Sequence, residues 1–224
     1  IITVPPDSNG CPIINKFGKN IIKSNISWLG YLSSTSVYGN HNGAIINEET
    51  LVKPREKSSI YRYKAENDVL KLASKSSINA EIFRVSGIYG PENNIFNRIL
   101  TDKINIINKE NHYFNRIHVD DIARVLSLAS CVGNNKGIIN LSDNLPAPQI
   151  DVIRYAYSIL NTKIPKISEY EDIKHTLKPS LKKFWENNKK IDNNLLNIKY
   201  GPLKYPTYKE GLKNIYNLLG YNRN

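Results

Sequence analysis

Methionine is missing from all 224 residues, position 1 included, and the chain opens directly on the apolar run Ile1-Ile2-Thr3-Val4. A buried strand with nothing ahead of it to tie it down is an unusual way to begin a domain. The opening therefore predicts a fragment or one product of a split gene. Cysteine is nearly absent. Cys11 and Cys131 stand far apart in no metal-ligand pattern, which argues against a disulfide framework and for a reducing, cytoplasmic setting. No stretch approaches eighteen continuous apolar residues, so a membrane-spanning helix is excluded on length. The first ten residues, IITVPPDSNG, lack the basic leader and apolar core of a signal peptide. Also lacking is an arginine-rich stripe with interleaved aromatics, although the formal charge is +11. The lysines are spread thinly, densest at Lys182, Lys183, Lys189 and Lys190. Such a field favours anionic ligands in general. Nucleic-acid binding stays a minor reading, marked by strongly salt-dependent affinity.

What is there reads as alternating strands and helices. Ile1–Val4 is an apolar strand stopped by Pro5-Pro6, which cannot donate to a ladder. Asp7-Ser8-Asn9-Gly10 is a turn by composition. Ile13, Ile14, Phe17 and Ile21 place a helix over 12–22, and Ile26–Leu32 follows as a strand apolar enough for burial on both faces. Residues 61–76 read as a second helix with Ala65, Val69, Leu70, Leu72 and Ala73 on its apolar side, and 82–85 as a third strand. This order predicts an α/β fold with a Rossmann-like parallel sheet. Beyond Pro91 come a helix within 93–100, a short strand near 105–108, a helix over 122–131 capped by Asp120 or Asp121, a strand over 137–141 and a helix from Pro148 to Leu160. Thr207 and Glu210, three apart before Leu212 and Ile215, form a capping-box signature for a last helix. Two regions are expected: 1–91, part of a cofactor-binding domain, and 92–224, a mixed region completing the sheet and capping a substrate crevice.

In an open parallel sheet, ligands bind at the carboxyl ends of strands. Pro5, Ser33, Ser34 and Ser86 sit at three such ends. A serine there can donate to a substrate oxygen, and Lys64, on the following helix, can meet ribose hydroxyls and developing negative charge. Ser33–Ser36 also fits the flexible start of a loop, Lys64 a surface residue, and Arg84 a brace at the sheet's edge. His118 beside Asp120 and Asp121 lacks a convergent ligand set for a metal, and suits loop fixing and helix capping.

Six segments occur in order: YLSSTSVYG (31–39), YKAE (63–66), FRVSGIYGP (83–91), RIHVDDIAR (116–124), NLSDNLPAP (140–148) and YPTYKEGL (205–212). Together they resemble the NAD(P)-dependent epimerase/dehydratase proteins, in the atypical branch of the extended short-chain dehydrogenases/reductases. The resemblance spans nearly the whole chain. It implies an oxidoreductase or epimerase using NAD or NADP on a nucleotide sugar or related carbonyl compound. It implies Ser34 and Lys64 as catalytic, and Pro5, Ser33, Lys64, Ser86, Gly87 and Ile88 as cofactor contacts.

Two departures from the family matter. The family's catalytic tyrosine lies four residues before its lysine, and that position here is Ile60, which cannot transfer a proton. Tyr61 points about 100° further around the helix. The family's opening strand and glycine-rich turn, G-x-G-x-x-G or a relative, whose helix holds the pyrophosphate, do not occur in this sequence. Weak dinucleotide binding by this chain alone is expected, with a separate N-terminal polypeptide or a homo-oligomer to complete the sheet. A non-catalytic nucleotide-binding remnant is the alternative. Bound NAD(H) is expected to perturb Trp28.

Overall fold

The computed structural model describes residues 1–102 and 104–220. Its centre is a parallel sheet of β1 (Trp28–Ser34), β3 (Asn79–Val85) and β7 (Gly137–Leu141), in that order. Trp28 pairs with Asn79 and Ser34 with Val85, while Val85 in turn pairs with Leu141. The three carboxyl ends therefore finish level. Each crossover contains a helix: α2 (Lys57–Ser74) lies between β1 and β3, and α4 (Val119–Val132) between β3 and β7. This is the α/β, Rossmann-like parallel arrangement expected from the alternation of elements.

The expected strand over residues 1–4 shrinks to one bridge between Ile2 and Tyr31. Ile2 donates to the Gly30 carbonyl at 2.7 Å and accepts from the Leu32 amide at 3.0 Å. Pro5 and Pro6 stop the ladder there, for want of donors. β1 also runs two residues past its expected end. Backbone pairing with β3 carries Ser33 and Ser34 into the strand, whatever their side chains. The short β2 (Ile45–Ile46) follows beyond it.

The sheet is covered on both faces, as parallel strands require. α2 packs Ala65, Val69 and Leu72 against Tyr31, Ala80 and Ile82, and α1 (Pro12–Lys23) adds Ile13, Ile14 and Ile21 to the same core. Proline fits the first turn of α1, where its missing N–H has no partner to lose. Opposite, α4 and α8 (Asn194–Tyr200) set Ile122, Val125 and Leu196 on Phe83, Val85 and Ile139. A parallel pair, β4 (Gly87–Tyr89) with β6 (Arg116–His118), extends from the end of β3.

Beyond it, α3 (Ile95–Leu100), α5 (Gln149–Leu160) and α9 (Tyr208–Leu218) enclose a second core around Phe96, Ile153 and Ile215. The capping box at α9 forms as expected, Glu210 accepting from the Thr207 amide at 3.0 Å. α4 is capped differently from the expectation. His118, not an aspartate, accepts from the Asp120 amide at 3.2 Å. Asp121 turns inward instead and accepts the Lys204 and Tyr205 amides at 2.7 and 3.0 Å. Two further parallel pairs lash the 160–192 segment down: β5 (Ile107–Asn108) with β8 (Ser168–Glu169), and β2 with β9 (Lys190–Ile191). The short helices α6 (Tyr170–Ile173) and α7 (Pro179–Lys182) lie between them.

Candidate functional site

Successive residues of a strand face opposite sides, and Ser33 and Ser34 part company at the end of β1. Ser33 is buried and donates to the Glu66 carboxylate on α2. The Ser34 hydroxyl accepts from the Ser36 amide at 3.1 Å, capping the single 3-10 turn of Thr35–Tyr38. Glu66 also takes a two-pronged bond from Arg84, at 3.1 and 2.8 Å. The Arg84 guanidinium lies 4.6 Å from the Tyr38 ring centre, and the Tyr38 hydroxyl donates to Asn140 at 2.8 Å. Serine, glutamate, arginine, tyrosine and asparagine thus form one buried polar line across β1, β3 and β7. Arg84 braces the middle of the sheet, not its edge.

The two cations of α2 point differently. Lys64 is exposed, and its amine donates to the Ser8 carbonyl at 3.1 Å, in the loop that follows Ile2 and Pro5. Arg62 lies just outside the YKAE segment. Its guanidinium donates to the Leu32 carbonyl at 2.8 Å, and it sits one turn before Glu66 on the sheet-facing side. The nearby Tyr31 hydroxyl is pushed up to about 12, mainly by burial, against the pull of Arg62. Pro5 is exposed, as is Ile60. Tyr63 packs beside Val37 and Tyr38.

Past the end of β3, Ser86 is buried, its amide bonded to the Leu141 carbonyl at 2.9 Å, and its hydroxyl has no partner among the described residues. Gly87 and Ile88 are exposed and line a cleft of about 670 Å³. Its walls include Arg98 from α3, Arg116 from β6, Gln149 from α5, and Phe184 and Trp185 from the turn after α7. Behind it lies Asp143, two residues beyond β7. Burial pushes its carboxyl up to about 7, and one of its oxygens has no partner among the described residues. Tyr89 and His118 stand ring to ring beside it at 5.2 Å. Burial raises the tyrosine and lowers the histidine, and each has a polar atom with no partner among the described residues.

Trp28, at the start of β1, lies about 20 Å up-strand of Ser34, packed against Phe83. It is remote from the strand ends, whereas Trp185 lines the cleft. The structure therefore gathers Ser33, Ser34 and Ser86 at level strand ends, with Gly87 and Ile88 leading into the cleft. Lys64 is set on the Ser8 side. Arg62 and Glu66 could have been found from their spacing of four, which shares a helix face. Arg98, Arg116 and Asp143 carry no such local signal.

Residues 20–142 match the NAD dependent epimerase/dehydratase family. A solved structure of a functionally unknown conserved protein from Silicibacter pomeroyi is 33% identical, with a TM-score of 0.89, over 96% of this chain and 76% of that one. A human epimerase family protein solved with NADPH shares the fold at a TM-score of 0.74 and 14% identity, over 89% of this chain and 69% of its own. A UDP-glucuronic acid 4-epimerase from Bacillus cereus solved with NAD aligns at a TM-score of 0.71 and 17% identity, over 92% of this chain and 67% of its own. No curated protein matches. With more than half of its length covered by the family match, the chain belongs to the NAD dependent epimerase/dehydratase family.

Proposed function

We propose that this chain holds the nicotinamide half of NAD or NADP across the carboxyl ends of the Ile2 segment, β1 and β3, and a nucleotide sugar or related carbonyl substrate in the adjoining cleft. The observation that carries the reading is the partnerless Ser86 hydroxyl, buried at the level strand ends beside that cleft. A buried hydroxyl without a partner costs about 1–3 kcal/mol, a cost that a bound polar ligand removes. Gly87 alongside it offers exposed backbone without a side chain. When bound, the cofactor supplies the hydride-transfer chemistry. Pro5, Ser33, Lys64, Ser86, Gly87 and Ile88 would hold it. Ser34, its hydroxyl now accepting from the Ser36 amide, still has its own proton to donate to a substrate oxygen. Lys64 and Arg62 would supply the positive charge that meets developing negative charge.

A second reading, binding without turnover, is favoured by Ile60, which offers no proton at the family's tyrosine position. The residues present also include no glycine-rich turn for the pyrophosphate. The reading therefore expects the reduced nicotinamide mononucleotide to bind nearly as well as NADH, each at dissociation constants on the order of 1 mM, about −4 kcal/mol. Calorimetric titration with both, on the wild type and Ser86→Val, tests it. Wild-type binding that Ser86→Val weakens supports the site. No binding of either compound, or NADH held a hundredfold tighter than the mononucleotide, would overturn it. Exchange of hydride with a nucleotide sugar, followed as absorbance of the reduced nicotinamide, separates turnover from binding alone.

A further inference from the structure

Lys189 is 6% exposed, and among the described residues no carboxylate lies within ion-pair distance of it. Its amine donates to the Gly39 carbonyl at 3.1 Å, the one acceptor it meets among those residues. Gly39 closes the turn that Ser34 caps, its amide bonded to the Ser36 carbonyl at 3.1 Å. The neighbours of Lys189 are tied on both sides. Toward the loop after that turn, the Asn188 carbonyl accepts the His41 and Gly43 amides at 3.0 and 3.1 Å. The Lys190 and Asp192 amides donate to Ala44 and Ile46 at 2.9 and 2.8 Å. On the other side, the Asn188 side chain accepts the Tyr113 amide at 2.9 Å. The Asn115 side chain donates to the Lys189 carbonyl at 3.0 Å and accepts the Ile191 amide at 2.8 Å. The Asn115 carbonyl in turn accepts the Gly87 amide at 3.0 Å. Residues 188–191 thus form a strap that joins the loop after the Ser34 turn to the strand end at Gly87.

An ammonium buried against a single carbonyl is costly to keep charged. The titratable groups on the surrounding elements do not offset it. Asp192 turns its carboxylate to Asn194, and Glu48 turns its own to the Asn140 amide. Glu186 is exposed. His112 is held down to about 4, mainly by burial, and is neutral. The His41 ring nitrogen lies 3.0 Å from the Tyr38 carbonyl. Lys53, Arg116 and Lys190 carry like charge. We propose that residues 188–191 are a proton-gated strap, which loosens its hold on the loop after Ser34 when Lys189 gains a proton, while the sheet stays folded. This deepens the function proposed above and rests on it only for what binds between Ser34 and Gly87. Burial brings the amine down from 10.5 to about 8 in the closed strap. Between those values the open strap binds the extra proton, so closure strengthens as pH rises through that window.

The test needs no cofactor. The full chain is labelled by pulsed hydrogen exchange and read by NMR at pH 7 and pH 9, as the wild type, Lys189→Met and Lys189→Arg. The His41, Gly43, Lys190 and Asp192 amides should open more readily than those of β3. Corrected for intrinsic exchange, their opening should fall about tenfold from pH 7 to pH 9 in the wild type. In Lys189→Met, which has no proton to gain, the fall should vanish. In Lys189→Arg, charged at both values, it should vanish with the strap left more open at pH 9 than in the wild type; Lys189→Met suffices if the arginine variant is unfolded. Opening unchanged with pH in the wild type, a fall that persists in Lys189→Met, or opening no more frequent than that of β3 overturns the strap. Reduced nicotinamide mononucleotide at roughly ten times the dissociation constant expected above should slow the opening about tenfold. Binding seen by calorimetry without slower opening would remove the strap from that site. No binding, with the pH effect intact, would count against the cofactor site and leave the strap standing.

Discussion

Replacing Glu66 by leucine tests the buried polar line directly. Glu66 and Arg84 are 1% and 3% exposed, so solvent does not screen their attraction. The substitution leaves the Arg84 guanidinium enclosed without its carboxylate, and the Ser33 hydroxyl without its acceptor. Breaking one side of a buried pair costs about 3–5 kcal/mol, chiefly because the remaining charge stays desolvated. At about 2–4 °C per kcal/mol for a chain of this size, the melting temperature should fall by roughly 6–20 °C. Urea unfolding followed by circular dichroism gives the free energy independently. The double variant Glu66→Leu with Arg84→Met is the sharper arm. With neither charge left, it should recover most of the loss, since apolar replacements of a buried pair are often neutral. A loss under about 1 kcal/mol for Glu66→Leu, or a double variant as unstable as the single one, would refute the claim that the cost is an unpaired buried charge.

Asp143 sets a pH dependence of unusual sign. Its carboxyl is raised to about 7 by burial, above the ordinary 3.8, so the folded chain binds the extra proton and stability should decline as pH rises from about 4 to about 7. The contribution is on the order of 4 kcal/mol; Asp143→Asn should flatten that slope in urea titrations, and an unchanged slope would show that Asp143 is not its source. Gly211→Ala should destabilise by about 1–3 kcal/mol through overpacking, because the added carbon would stand 2.1 Å from the Tyr89 hydroxyl; a melting temperature equal to the wild type would mean that Tyr89 moves freely aside.

The parts of the fold legible in the sequence are those whose causes are local. The strand over Gly137–Leu141 and the helix after Thr207 follow from an apolar run and a reciprocal cap, both contained within a few residues. Ile1–Val4 looked equally strand-like, yet only Ile2 pairs, because the ladder depends on what lies alongside. The site residues of α2 show a related limit. Lys64 and Arg62 differ by two positions, which is about 200° around a helix. Only the packing of Ala65, Glu66 and Val69 against the sheet decides which cation goes to the Leu32 carbonyl and which to Ser8.

The cleft lies at the far end of that scale. Arg98 and Arg116 are eighteen residues apart on separate elements, Gln149 comes from α5, and Phe184 follows α7. No spacing rule connects them. They meet because β4 and β6 pair where β3 ends, so that α3 and α5 close around the extension. The sheet side and the cleft side thus rest on different cores, the first around Tyr31 and Ile82, the second around Phe96 and Ile153. Stability added by distant, non-contacting groups sums independently. Polar changes at Arg98 should therefore alter what the cleft binds while leaving the strand ends, and the polar line through Glu66, as they are.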